Sequence, residues 1–110
     1  MTPHFDPVTS TLRLAFEDRG EAKAFFAESV REGVFVVVLA ARPGDFAILQ
    51  IHARDAGSFD FACEARAVQI FHEGRSWRVV VQLAGWNAAA EANLQRRLVH
   101  FPSSSPGRNG

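Results

Sequence analysis

With 110 residues the chain is long enough for one domain around a single core and too short for two. Apolar residues make up 47% and charged residues 22%, the balance of an ordinary globular protein, which excludes a disordered or membrane-embedded chain. Twelve basic residues offset twelve acidic ones, so no excess of positive charge calls for nucleic acid as a partner.

Eleven of the twelve basic residues are arginines, with Lys23 the exception. Planar guanidinium forks suit phosphates and carboxylates, but a GC-rich genome produces the same bias without a function attached. Cys63 stands alone, which excludes an intrachain disulfide or a clustered-cysteine zinc site and fits a reducing compartment. The first residues show no basic region followed by an apolar run, and Val34 to Ala41 is too short to span a bilayer. A cytoplasmic protein without membrane insertion is therefore expected.

In chain order, residues 1–9 carry two prolines and little periodicity, and are expected to be a flexible lead-in. Leu12, Leu14 and Phe16 then alternate with Arg13 and Ala15, the period-2 signature of a half-buried strand. From Asp18 to Val30 the apolar residues fall at helical spacing, with acidic residues near the start where the helix dipole favours them. That helix is expected to end at Glu32-Gly33, where a glycine can take positive φ on entering a strand.

Val34 to Ala41 is a continuous apolar, β-branched run, which predicts a strand covered at least in part on both faces. Arg42-Pro-Gly-Asp45 reads as a type II turn with Gly44 at positive φ, followed by a strand over Phe46 to Ala53. After Arg54-Asp-Ala-Gly-Ser58 a long strand runs from Phe59 to Phe71, and its apolar set changes phase at Val68, which predicts a bulge. His72 to Arg75 forms a hairpin loop into a last strand carrying Trp77, Val79, Val81 and Leu83 on one face. Asn87 is placed to cap a helix over Ala88 to Leu98, whose stripe of Ala90, Leu94, Leu98 and Phe101 docks on the sheet. Residues 102–110, rich in Ser, Pro and Gly, read as a disordered tail.

This order predicts a mainly β, α+β fold. It is a small antiparallel β-barrel of five to six strands, with a helix inserted after the first strand and a C-terminal helix packed on the barrel.

Over residues 10–101 the chain resembles the PilZ family, and in particular its short branch with pilus-assembly members. The resemblance rests on the opening strand Leu12–Phe16, the helix reaching Val30, the junction Arg31-Glu-Gly-Val-Phe-Val36, the turn Pro43-Gly-Asp45, the long strand and the final helix. It implies a signalling domain of the barrel type. Typical members bind cyclic di-GMP through an Arg-x-x-x-Arg segment before the first strand and an Asp/Asn-x-Ser-x-x-Gly segment opening the second.

Here the first segment has no counterpart, since residues 1–10 hold no arginine and no two arginines in the chain are four apart. The second maps onto Glu28 to Gly33, with Glu28 at the Asp/Asn position, Val30 at the Ser position and only Gly33 retained. Without paired guanidiniums, and with Glu28 and Glu32 adding repulsion, cyclic di-GMP is not expected to bind in the family's usual way. The resemblance then implies a non-catalytic adaptor with no cofactor, acting on another protein in motility, type IV pilus or polarity control. The alternative is a cyclic di-GMP receptor using non-standard arginines such as Arg13, Arg31 and Arg42.

Arg31, Arg42 and Trp86 are the residues singled out for partner binding, Trp86 because an indole at a strand-to-helix junction can serve as an interface anchor. Core capping by Trp86 and plain solvation of the two arginines are the competing readings. His4, His52, His72 and His100 show no metal-ligand spacing, and no nucleophile elbow accompanies them, so neither a metal site nor catalysis is expected.

Overall fold

The computed structural model describes residues 1–99. In chain order they form β1 (Thr2–Asp6), β2 (Thr11–Ala15), α1 (Arg19–Ala24) continued by a π-helical turn (Phe25–Ser29), β3 (Val34–Leu39), β4 (Ile48–Arg54), β5 (Asp60–Glu73), β6 (Ser76–Leu83) and α2 (Ala88–Val99). The six strands make one sheet in the order β1-β2-β4-β5-β6-β3, which curls into a half-barrel with the two helices against it. The expected α+β barrel-like architecture is therefore present. The tail over 102–110, His100 and Phe101 lie outside the described residues.

One pairing departs from the all-antiparallel expectation: β2 runs parallel to β4, with Leu12 opposite Ile51 and Leu14 opposite Ala53. Parallel neighbours need a long crossover, and α1, the π-helical turn and β3 supply it. The expected flexible lead-in is also corrected, because Thr2–Asp6 pairs antiparallel with β2 and buries Phe5. Prolines mislead there because β1 is an edge strand, where a missing N–H breaks no ladder.

The helix begins as its sequence dictates, with the Asp18 carboxylate accepting from the Glu21 N–H at 2.8 Å. Its second half widens into the π-helical turn, which sets Phe25 and Phe26 side by side at 5.1 Å, edge to face. Those two rings join Phe16, Phe35, Phe59 and Phe61 in one aromatic cluster beneath the helix. Offset and tilted rings of this kind add to what their buried area already contributes. Leu12, Leu49, Val79, Val81, Leu94 and Leu98 complete the core.

The bulge appears where the phase change predicts it, as a register shift between Ala67 and Gln69 on β5. Gly74 takes positive φ in the β5–β6 hairpin. The turn before β4 differs from its expectation: Phe46, not Gly44, has φ +57°, and the Ala47 N–H closes the turn on the Gly44 carbonyl at 3.1 Å. Pro43 is buried just ahead of this turn, which spans Gly44 to Ala47 and so lies two residues later than the Pro-Gly reading places it.

Candidate functional site

Between helix and β3 the chain reverses over Arg31 to Val34, with the Arg31 N–H donating to the Val34 carbonyl at 2.9 Å and the Val34 N–H returning a bond at 3.0 Å. Glu32 at φ +55° and Gly33 at φ +79° are both left-handed, the pattern of a tight two-residue hairpin turn. The Gly33 carbonyl accepts from the Leu83 N–H at 2.8 Å, which stitches the turn to β6. Above it lies the Trp86 indole: a Cβ at Gly33 would stand 2.6 Å from the ring. Glycine is required twice over, by conformation and by space.

The three positions that align with the family's ligand segment are thereby accounted for. Glu28 is exposed, Val30 is a core residue at 7% exposure, and Gly33 is buried beneath the indole. No polar concavity is formed by these three. Arg31 is exposed and its Nε–H donates to the Glu28 carbonyl at 3.4 Å. Arg42 lies beyond the far end of β3, roughly 20 Å away at the rise of a strand. There it pairs with Asp45 at 2.8 Å and lies over the Trp77 ring at 5.4 Å. The structure thus brings Arg31 and Trp86 to one junction and sets Arg42 apart from them. Arg13 is elsewhere again, exposed on β2 in register with His4 and His52.

The strand expected to be covered at least in part on both faces is buried on one and only about half covered on the other. Phe35, Val37 and Leu39 point into the core, while Val36 and Val38 are 49% and 44% exposed. Tertiary placement decides this, because β3 is the last strand of the sheet and no layer packs on its outer face. Across the outer face Val36 stands opposite Val80 of β6, and Val80 opposite Gln69 of β5. On the next row Arg78, paired with Glu73, stands between Val38 and Phe71, which is 49% exposed, so Phe71 reaches the valines only diagonally past Val80.

The ladder also shows what the edge offers. Since Gly33 and Leu83 form a bonded pair, alternation places residues 35, 37 and 39 in bonded pairs with β6. The backbone groups of Val34 turn the other way and are taken by Arg31, which leaves those of Val36 and Val38 along the free edge. β1 approaches this edge without joining its ladder.

Cys63 is half-buried, and burial pushes its thiol up to about 11, so it is a poor nucleophile at neutral pH. His72 stacks on Trp77 at 4.7 Å on the exposed hairpin. Among the described residues no three His, Cys, Asp or Glu side chains are grouped to hold a metal. No helix among them is long and apolar enough to cross a membrane.

A cleft of about 380 Å³ was not anticipated from the sequence. It lies between the start of α1, the β4–β5 turn and the last turns of α2, with Phe59 as its floor and Arg19, Arg96 and Arg97 on its walls. Arg19 is held by Asp55, its Nε–H 2.8 Å from Oδ2, in a pair whose side chains are only 10% and 2% exposed. The available signal was Arg96-Arg97 in the last turn of a helix, a pair that dipole complementation already explains.

With this geometry in view, comparison with family models, with curated proteins and with solved structures returns no match.

Proposed function

We propose that this chain is a non-catalytic, PilZ-like adaptor of the cytoplasm that works by binding another protein, with bacterial motility or polarity control the setting its sequence resemblance implies. The observation that carries the reading is the outer face of β3. Val36 and Val80 sit side by side there with Phe71 diagonal to Val80, Arg78 crosses the row between Val38 and Phe71, and the outer edge of β3, which β1 approaches, is paired to no strand. Native proteins guard such edges with charge, proline or a covering segment, and an unguarded one is a ready template for a partner strand. β3 itself contains neither charge nor proline.

The burial of Val30 and the indole over Gly33 support the absence of the family's usual ligand contacts. The three non-standard arginines of the alternative reading sit on separate parts of the fold, which gives a cyclic di-GMP site built from them no support.

The test is affinity capture from a lysate of the source organism with the native chain and with Val36→Glu/Val38→Glu, alongside calorimetric titration with cyclic di-GMP. A specific partner retained by the native chain and lost by the variant is the expected result. Equal capture by both, or cyclic di-GMP binding at micromolar affinity or tighter, would overturn the reading.

A further inference from the structure

The cleft over Phe59 holds more positive charge than its surroundings balance. Arg19 is matched by Asp55, whose other oxygen accepts from the Gly57 and Phe59 N–H groups at 2.8 and 3.1 Å. Arg96 and Arg97 have no carboxylate within ion-pair distance among the described residues. Both line the cleft, Arg97 over the Phe59 and Phe61 rings and Arg96 on the exposed rim, so an anion seated there would meet two positive charges.

Two of the three arginines are also held in place. The Arg19 guanidinium lies 5.5 Å from the centre of the Phe59 ring and donates to the Arg97 carbonyl at 3.3 Å and to the Ser58 hydroxyl at 3.2 Å. Arg97 lies over the Phe59 and Phe61 rings at 6.0 and 5.8 Å and donates to the Asp60 carbonyl. Arg96 is the least tethered, exposed and joined to Asn93 by one bond of 3.3 Å. Fixed forks over an apolar floor lose little freedom on meeting a ligand.

We propose that this cleft binds the phosphate group of a small phosphomonoester, with Arg96 closing on it from the rim. Two unmatched guanidiniums suit a dianionic phosphate better than a singly charged carboxylate. A volume of about 380 Å³ falls in the range of small-molecule sites. The site is separate from the β3 face, so a chain carrying both could bind a metabolite and a protein together.

The test is calorimetric titration of the full chain with phenyl phosphate, inorganic phosphate and benzoate at low, fixed ionic strength, with amide chemical shifts read in parallel. The expected result is one saturable phenyl phosphate site, with shifts confined to Ser58–Asp60 and Asn93–Arg97. Affinity should fall at least about tenfold in Arg96→Glu and stay unchanged in Arg13→Ala, which removes a basic group elsewhere on the surface. Arg96 is exposed and makes no core contact, so Arg96→Glu folds; Arg97→Lys, which keeps the charge and loses the fork, should weaken binding as well. No saturable binding, equal loss in Arg13→Ala, or benzoate binding as tightly as phenyl phosphate would overturn the proposal.

Discussion

The turn at Gly33 and the cleft over Phe59 are both places where a helix meets the sheet, yet one is shut and the other open. At Gly33 the backbone satisfies itself through paired turn bonds, and the Trp86 indole fills the remaining space. At Phe59 the ring is itself buried, but what lies on it is charged: guanidiniums pinned by a buried carboxylate and by carbonyl oxygens. The indole seals its site by packing the apolar body of its ring on Gly33. The exposed Arg96 keeps the other open, because its guanidinium has N–H donors beyond the one that Asn93 accepts. The family resemblance directs attention to the first place, and the chain's arginine chemistry collects at the second.

The sharpest way to break this contrast is to remove the carboxylate beneath the cleft. Asp55→Ala would leave the Arg19 guanidinium and two turn N–H groups without their partner, and is expected to cost about 3 kcal/mol or more in denaturant unfolding. Asp55→Asn retains an acceptor for the turn and should cost less. Burial alone would raise the Asp55 carboxyl, but the Arg19 bond and the Gly57 and Phe59 N–H groups outweigh it and hold the group below its ordinary 3.8. A depressed carboxyl stabilises the fold fully above the unfolded value and loses that contribution as pH falls through the folded one. Native stability should therefore decline below about pH 4, and Asp55→Asn should flatten that part of the profile. A pH profile identical in both proteins would show that Asp55 does not hold the cleft.

Gly33→Ala probes the shut site. A methyl group would meet the indole at well under contact distance in a left-handed backbone, for an expected loss of roughly 2 kcal/mol. Full stability in that variant would mean that Trp86 moves aside easily and that the junction is less tightly closed than its geometry indicates.

These two sites also mark how far the sequence could be read. Gly33 was legible because a glycine after a helical stretch and before a β-branched run has few other uses, and positive φ is a local property. The bulge at Val68 was legible for a similar reason, since a change of phase along one strand needs no knowledge of its neighbours. Gly44 misled because Pro-Gly states a preference for a turn type, while burial of Pro43 moved the positive φ to Phe46. How far Val36 and Val38 stand exposed was not legible, because side-chain chemistry along β3 does not say whether a strand is central or at the edge. The cleft was out of reach because Arg19 and Arg97 are 78 positions apart and meet only through the packing of α1 beside α2. Charges gathered from distant elements leave no spacing for a single sequence to display.

Asn87 lies between the two sites, one residue after the indole and at the head of the helix that brings Arg96 and Arg97 to the cleft. Its Oδ1 accepts from the Ala90 N–H at 2.8 Å, so Asn87→Ala leaves a first-turn donor without that partner, at a cost of about 1 kcal/mol by denaturant unfolding. The informative part is where the loosening stops. Leu94 and Leu98 are buried, and the Arg97 carbonyl is gripped by Arg19, so the far half of α2 is anchored independently of its cap. Fraying at the N-terminus should therefore increase amide exchange around Ala88 to Ala90 and leave phenyl phosphate affinity within about twofold of native. Asn87→Asp, which keeps an acceptor and adds favourable charge at the helix start, should restore the lost stability. A large drop in affinity in Asn87→Ala would instead mean that α2 moves as one rigid rod, and the shut and open sites would then have to be treated as a single coupled unit.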